Sequence, residues 1–318
     1  MRKALVVGIN YYEKDHIPNL RGCVPDAFSV NSVLERNSDG TKNFDVKLET
    51  ASDHSTGITK NELKNYVKEL FDDDCEIALF YFSGHGYIEN TGGFIITSDC
   101  ENGDDGLSLT ELLKIVNASK AKNRIVILDS CYSGEMGNFD SNTDTAFINE
   151  GVTILTASRK TQYSMDERDG GTFTKLFVDA LNGTAANLLG EITPGSVYAH
   201  IDQSLGAWGQ RPLFKTNIKS FVCLRRTVPP ISLEELKKLT IIFENDFEYK
   251  LDPSYEPESD CPQKENTEIF ATLQKYNRVN LVVPVNAQHM YFAAINSKSC
   301  KLTTLGEFYW KLVKNGNI

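Results

Sequence analysis

Short β-branched or aromatic runs alternate with helical patterns over the first two thirds of the chain, which predicts a mainly parallel sheet with helices on both faces. Residues 4–9 (ALVVGI) read as a strand. After Pro25-Asp26, Ala27, Val30, Val33 and Leu34 recur at helical spacing, and a strand is expected at 44–48. Thr59 followed by Glu62 has the spacing of a capping box, with Leu63, Tyr66, Val67 and Leu70 marking the buried face of the helix behind it. Residues 77–82 (IALFYF) are apolar without interruption, as in a central strand covered on both faces. GGFIIT at 92–97 reads as one arm of a short hairpin, Ser108 with Glu111 as another helix cap, and RIVILD at 124–129 as the next strand. The stretch 133–150 is rich in Gly, Asn, Asp, Ser and Thr and is expected to be a mobile loop. Beyond it come a strand at 152–157, helices at 171–181 and 197–205, and a sixth strand at 219–224.

The run Arg225-Arg226-Thr227-Val228-Pro229-Pro230 breaks this pattern, because paired prolines end regular pairing and favour an extended connector. Two domains are expected, 1–226 and 227–318. In the second, helices are expected at 233–248 and 267–276, and a β-hairpin from VNLVVPV (279–285) and MYFAAI (290–295). An amphipathic helix ends the chain, with Leu305, Phe308, Tyr309 and Leu312 on one side. That order makes a small α+β module resembling a winged helix. From Val228 onward ten basic and twelve acidic side chains give a net charge of −2, without the basic footprint of a groove reader. Docking of a regulatory protein partner is the expected role.

Composition narrows the class. The 318 residues are 41% apolar and 24% charged, ordinary usage for a folded soluble chain. A net charge of −10 sets up a field that repels polyanions and anionic lipid, so neither nucleic acid nor a membrane is an expected partner. Too few apolar residues precede Asn10 for a signal peptide, and no later window approaches the length of a membrane span, so the expected location is cytoplasmic. The seven cysteines are scattered without CxxC pairs, and the histidines lack partners at ligand spacing. No metal site and no cofactor is expected.

Two strand ends each deliver one reactive side chain, His85 after IALFYF and Cys131 after RIVILDS. In a parallel sheet, groups at the carboxyl ends of neighbouring strands converge on one rim. A thiol needs such a neighbour, since an ordinary cysteine pKa of about 8.5 leaves only a few per cent of nucleophilic thiolate at neutral pH. Gly84 and Gly86 flank the imidazole without Cβ bulk, and the N–H groups of Gly86 and Cys131 are the expected oxyanion-hole donors. Taken alone, Cys131 also fits a small buried thiol, and His85 a hydrogen-bonded structural histidine.

Together, Ser83-Gly84-His85-Gly86 and Asp129-Ser130-Cys131-Tyr132-Ser133-Gly134 resemble the caspases, metacaspases and bacterial caspase-like proteins over about residues 3–224. Cys131 lies 46 residues after His85, near the separation of about 50 typical of caspases. Asp-Ser-Cys stands where animal caspases have Gln-Ala-Cys and is similar to metacaspases, many of which carry histidine where this chain has Tyr132. The resemblance implies a caspase-like six-stranded, mainly parallel sheet and a Cys-His endopeptidase. It places Asp129 at the floor of the first substrate pocket, and Asp26 matches a metacaspase Cys-x-x-Asp segment lining the same pocket. Two carboxylates there imply cleavage after arginine or lysine. Ser164, Met165 and Asp166 align with the strand that pairs with substrate. The resemblance also suggests a regulated protease of prokaryotic defence or cell death.

Asp26 keeps a second reading as a plain acidic residue in the first turn of a helix, and Asp129 as a turn-ordering one. No Lys or Arg occurs from Tyr132 to Ser158, so an enzyme restricted to basic sites would not cut its own loop there, whereas Arg159, Lys160, Arg225 and Arg226 are candidates. The competing function is a catalytically silent caspase-like adaptor that signals through residues 231–318.

Overall fold

The computed structural model describes residues 1–89, 92–130, 147–157, 171–206, 211–244 and 246–318. The apolar runs form strands and the 3.6-period segments cover them. In chain order the first unit comprises β1 (Arg2–Ile9), α1 (Cys23–Glu35), β2 (Asp45–Ala51), α2 (Lys60–Asp72), β3 (Ile77–Ser83), β4 (Gly86–Glu89) and β5 (Gly92–Ile95). It continues with β6 (Leu107–Ser108), α3 (Leu109–Ala118), β7 (Asn123–Asp129), β8 (Val152–Thr156), α4 (Thr172–Asp179), β9 (Glu191–Ile192), α5 (Pro194–Leu205), β10 (Leu213–Asn217) and β11 (Arg225–Arg226). The main sheet has the order β10-β8-β7-β3-β1-β2, parallel except for β10.

Alternation along each strand builds two cores. Leu5, Val7, Phe80, Phe82, Val126 and Leu128 face α2, α3 and the β4–β5 hairpin. Ala4, Val6, Leu79, Tyr81, Ile125 and Ile127 face α1, α4 and α5. A strand buried on both faces has no polar side to show, which is why these runs are continuously apolar. The α1 positions expected to be buried, Ala27, Val30, Val33 and Leu34, are buried.

The capping box at α2 forms: the Glu62 N–H donates to Thr59 Oγ1 at 3.3 Å, and the Thr59 N–H donates to Glu62 Oε2 at 2.9 Å. Thr59→Ala is expected to destabilise the fold by about 1 kcal/mol, read as a lower urea midpoint at unchanged slope. At α3 the expected cap is absent. Ser108 is held in strand pairing with Phe94 and makes no capping bond, while Glu111 forms an ion pair with Lys64 at 2.5 Å.

Two further expectations are corrected. The sixth strand is Leu213–Asn217, antiparallel to β8, and not 219–224, where Phe221 is exposed and only Leu224 is buried. Arg225-Arg226 is not an open connector, since it pairs with β9 as β11. The Arg225 guanidinium donates to the carbonyls of Leu181 and Arg36 at 2.7 and 2.9 Å.

Backbone packing groups residues 1–186 with 191–228, and residues 187–190 with 229–318. The second unit is a small α+β assembly of α6 (Leu233–Lys237), α7 (Leu239–Ile242), β12 (Glu248–Lys250), α8 (Lys264–Arg278), β13 (Val282–Val285), α9 (Met290–Ile295), β14 (Ser299–Leu302) and α10 (Thr304–Lys314). Its sheet is antiparallel in the order β12-β14-β13. The expected hairpin partner MYFAAI is therefore α9, and β13 pairs with 299–302 instead. In α10 Tyr309 is buried but Leu305 and Phe308 are exposed, so the buried stripe is rotated from the one expected.

Candidate active site

Strands β3 and β7 end just before His85 and Cys131. These strands pair in parallel with Ser83 opposite Asp129, and the Gly84 N–H donates to the Asp129 carbonyl at 3.3 Å. A Cβ on Gly84 would lie 2.6 Å from the Phe82 ring, so the turn carrying His85 off the strand requires glycine. The His85 N–H donates to the Tyr12 hydroxyl at 2.8 Å, its carbonyl accepts from the Ile96 N–H at 3.0 Å, and its ring packs 4.8 Å from that of Tyr12. His85 Nε2 lies 2.8 Å from the Pro18 carbonyl. A carbonyl only accepts, so this bond assigns the proton to Nε2 and makes Nδ1 the basic nitrogen of the neutral ring. Gly86 opens β4, half-buried. Cys131 follows the buried Ser130 directly in the chain and, like Ser164, Met165 and Asp166, lies outside the described residues, as does most of 133–150.

Asp26 and Asp129 come together on the α1–α4 face of the sheet. Asp26, in the first turn of α1, is turned inward, and its Oδ2 accepts from Ser83 Oγ at 3.2 Å and from the Gly171 N–H at 3.1 Å. It therefore serves the start of α4 and the end of β3 rather than its own helix terminus. Asp129 Oδ2 accepts from Thr174 Oγ1 at 2.6 Å, and that hydroxyl lies 2.5 Å from the Tyr81 hydroxyl. A Cβ on Gly171 would sit 2.7 Å from Asp129 Oδ2 and 3.5 Å from Asp26 Oδ2, so both carboxylates close on the same glycine.

Burial, and next the charge of Asp129, push the Asp26 carboxyl up to about 7 against its bonds from Gly171 and Ser83. Burial raises Asp129 to about 6, opposed by Thr174. Two buried carboxylates share protons near neutrality, with the charge of Lys175 lowering Asp26 only in last place, and a guanidinium or ammonium group entering between them would release those protons. Sequence reasoning found both aspartates but missed Tyr12, Pro18, Tyr81 and Thr174. Pro18 contributes a carbonyl, which every residue type carries, so no sequence signal marks it.

A family model described as Caspase domain, of the Peptidase C14 type, matches residues 1–226. The chain belongs to this caspase-domain family. Among curated proteins it is similar to the mucosa-associated lymphoid tissue lymphoma translocation protein 1 of Homo sapiens, 24% identical over 189 residues, a match covering 56% of this chain. The match spans 21% of that protein's length. Among solved structures, a protein from Geobacter sulfurreducens aligns with a TM-score of 0.51 at 18% identity, covering 69% of this chain and 94% of its own. Caspase-1 from Spodoptera frugiperda aligns with a TM-score of 0.50 at 13% identity, covering 71% of this chain and 90% of its own. Both share the fold. In the caspase domain described here, His85 and the aspartate pair lie at the strand-end rim of that fold. Among the described residues no three His, Cys, Asp or Glu side chains are grouped as metal ligands, and no helix is long and apolar enough to cross a membrane.

Proposed function

We propose that this caspase domain is a cysteine endopeptidase that cleaves after arginine or lysine. The observation that carries the proposal is the convergence of Asp26 and Asp129 beside the strand end that bears His85. Cys131 extends the chain by two residues from Asp129, as His85 does from Ser83 on the neighbouring parallel strand. In this scheme the basic side chain enters between the carboxylates, and the Cys131 thiolate attacks the carbonyl carbon that follows. The amides of Gly86 and Cys131 hold the oxyanion, His85 protonates the departing amine, and water, deprotonated by His85, hydrolyses the thioester. Ser164, Met165 and Asp166 supply the strand edge for substrate main chain. The scheme draws on the chain's own side chains and backbone amides and on water. By analogy of fold the setting is regulated proteolysis in prokaryotic defence or cell death, with the C-terminal unit docking a regulatory partner.

The test is a panel of fluorogenic peptides ending in Arg, Lys, Asp or Leu, read beside Cys131→Ala. Arg and Lys peptides are expected to exceed Asp and Leu peptides by at least about tenfold in kcat/KM, with no turnover by Cys131→Ala. Preference for Asp-ending peptides would sink the pocket assignment. Absence of Cys131-dependent turnover throughout would favour the adaptor.

A further inference from the structure

A cavity of about 350 Å³ opens beside His85. Its walls include Ile17, Pro18, His85, Gly86, Tyr87 and Ile96. The two sites belong to opposite faces of the sheet. Asp26 neighbours Ala27 and Val30 of α1, which pack with Tyr81, Ile127 and Phe173. Ile96 packs with Phe80, Phe82 and Leu128. His85 leaves the end of β3 between these faces, held by Tyr12 and Pro18 from the loop after β1.

Peptide stereochemistry then constrains what each side receives. The side chain before the scissile bond and the amine after it project from opposite sides of the attacked carbonyl carbon. With the basic side chain between Asp26 and Asp129, the departing amine must face the imidazole that protonates it, and the next side chain continues beyond His85. We infer that the hairpin-side cavity is the leaving-side subsite, which receives the residue immediately after the scissile bond and takes an apolar side chain in preference to an acidic one. This inference rests on the peptidase reading above.

The cavity's size and lining select the occupant. Its volume is at the lower end of small-ligand pockets, room for a side chain rather than a folded partner. Ile96 is buried at its floor, and the Tyr87 ring lies flat against the Gly103 backbone, where a Cβ would fall 2.2 Å from the ring. Asp104 contributes the one carboxylate of the described lining. Beside it are the exposed Glu101 and Asp105. Lys14 is committed to Glu101 at 3.1 Å, and the His16 ring to the Glu101 carbonyl at 2.7 Å. An incoming Asp or Glu would face the Asp104 carboxylate and give up its water, whereas an apolar side chain gains by leaving water.

The experiment uses internally quenched peptides with arginine before the scissile bond and Leu, Phe, Gly, Lys or Asp after it. Leu and Phe are expected to exceed Asp by at least about tenfold in kcat/KM, with the difference carried by KM. Asp104→Lys is expected to bring the Asp peptide within about threefold of Leu, and Ile17→Ser to shrink the advantage of Leu over Gly. Each comparison is a ratio within one protein, so loss of folded material cancels. Equal cleavage of all five peptides by a chain that cuts after arginine overturns the subsite and leaves the peptidase reading standing. No Cys131-dependent cleavage of any peptide removes both.

Discussion

His85→Ala is expected to lower kcat for an arginine-ending peptide by about 10²- to 10⁴-fold with little change in KM, the range for loss of a positioned general acid–base. The Pro18 carbonyl orients the ring. Its bond to Nε2 fixes the tautomer, and in the proposed scheme Nδ1 takes the thiol proton and returns it to the leaving amine. Asp26 and Asp129 bond Ser83, Gly171 and Thr174, so in the proposed scheme the basic side chain is held by groups other than the imidazole. Ground-state binding of the arginine should therefore survive the substitution. Steady-state kinetics against Cys131→Ala as the zero level test this. A His85→Ala chain with wild-type kcat would show that another group moves the proton.

The parts of this site that were legible in the sequence are those where one residue type serves one purpose. The uninterrupted IALFYF run announces a strand with two covered faces, and a reactive side chain just beyond such a strand is already at the rim. Asp26 was ambiguous because an acidic residue in a first helical turn has a local explanation. Only the partner atoms, Gly171 N–H and Ser83 Oγ, distinguish the inward role. Tyr12 and Pro18 were illegible because they act from a loop after another strand, Pro18 through its backbone.

The misread elements have a common cause, the ambiguity of short apolar runs. MYFAAI has β-like content, but burial of Met290, Ala293 and Ala294 with exposure of Tyr291 and Phe292 is a helical pattern that six residues barely reveal. Leu213–Asn217 is a half-exposed edge strand, so its polar residues concealed it, and the more apolar 219–224 drew the assignment.

Asp129→Asn is expected to reduce kcat/KM for arginine-ending peptides by about 10- to 100-fold at pH 8, the loss of one charge-assisted hydrogen bond in a desolvated pocket. The same substitution is expected to stabilise the free chain at that pH. In the folded chain the Asp26 and Asp129 carboxyls are raised from 3.8 to about 7 and about 6. Between 3.8 and those values the folded state holds protons that the unfolded state has released. The stabilising contribution is complete below 3.8 and is lost as pH rises through 6 to 7, so the ionised carboxylate pair opposes folding at pH 8. Asparagine keeps an acceptor for the Thr174 hydroxyl and removes one buried charge, a gain of up to roughly 3 kcal/mol. Binding runs the other way. A guanidinium group favours the ionised pair, so KM for an arginine peptide should rise as pH falls from 8 to 5, and binding at pH 6.5 should release protons into buffer. Calorimetry in buffers of different ionisation enthalpy, with denaturation midpoints across the same pH range, reads both halves. A KM independent of pH, together with an Asp129→Asn chain no more stable than wild type at pH 8, would mean that the two carboxylates are not the charge that receives the substrate.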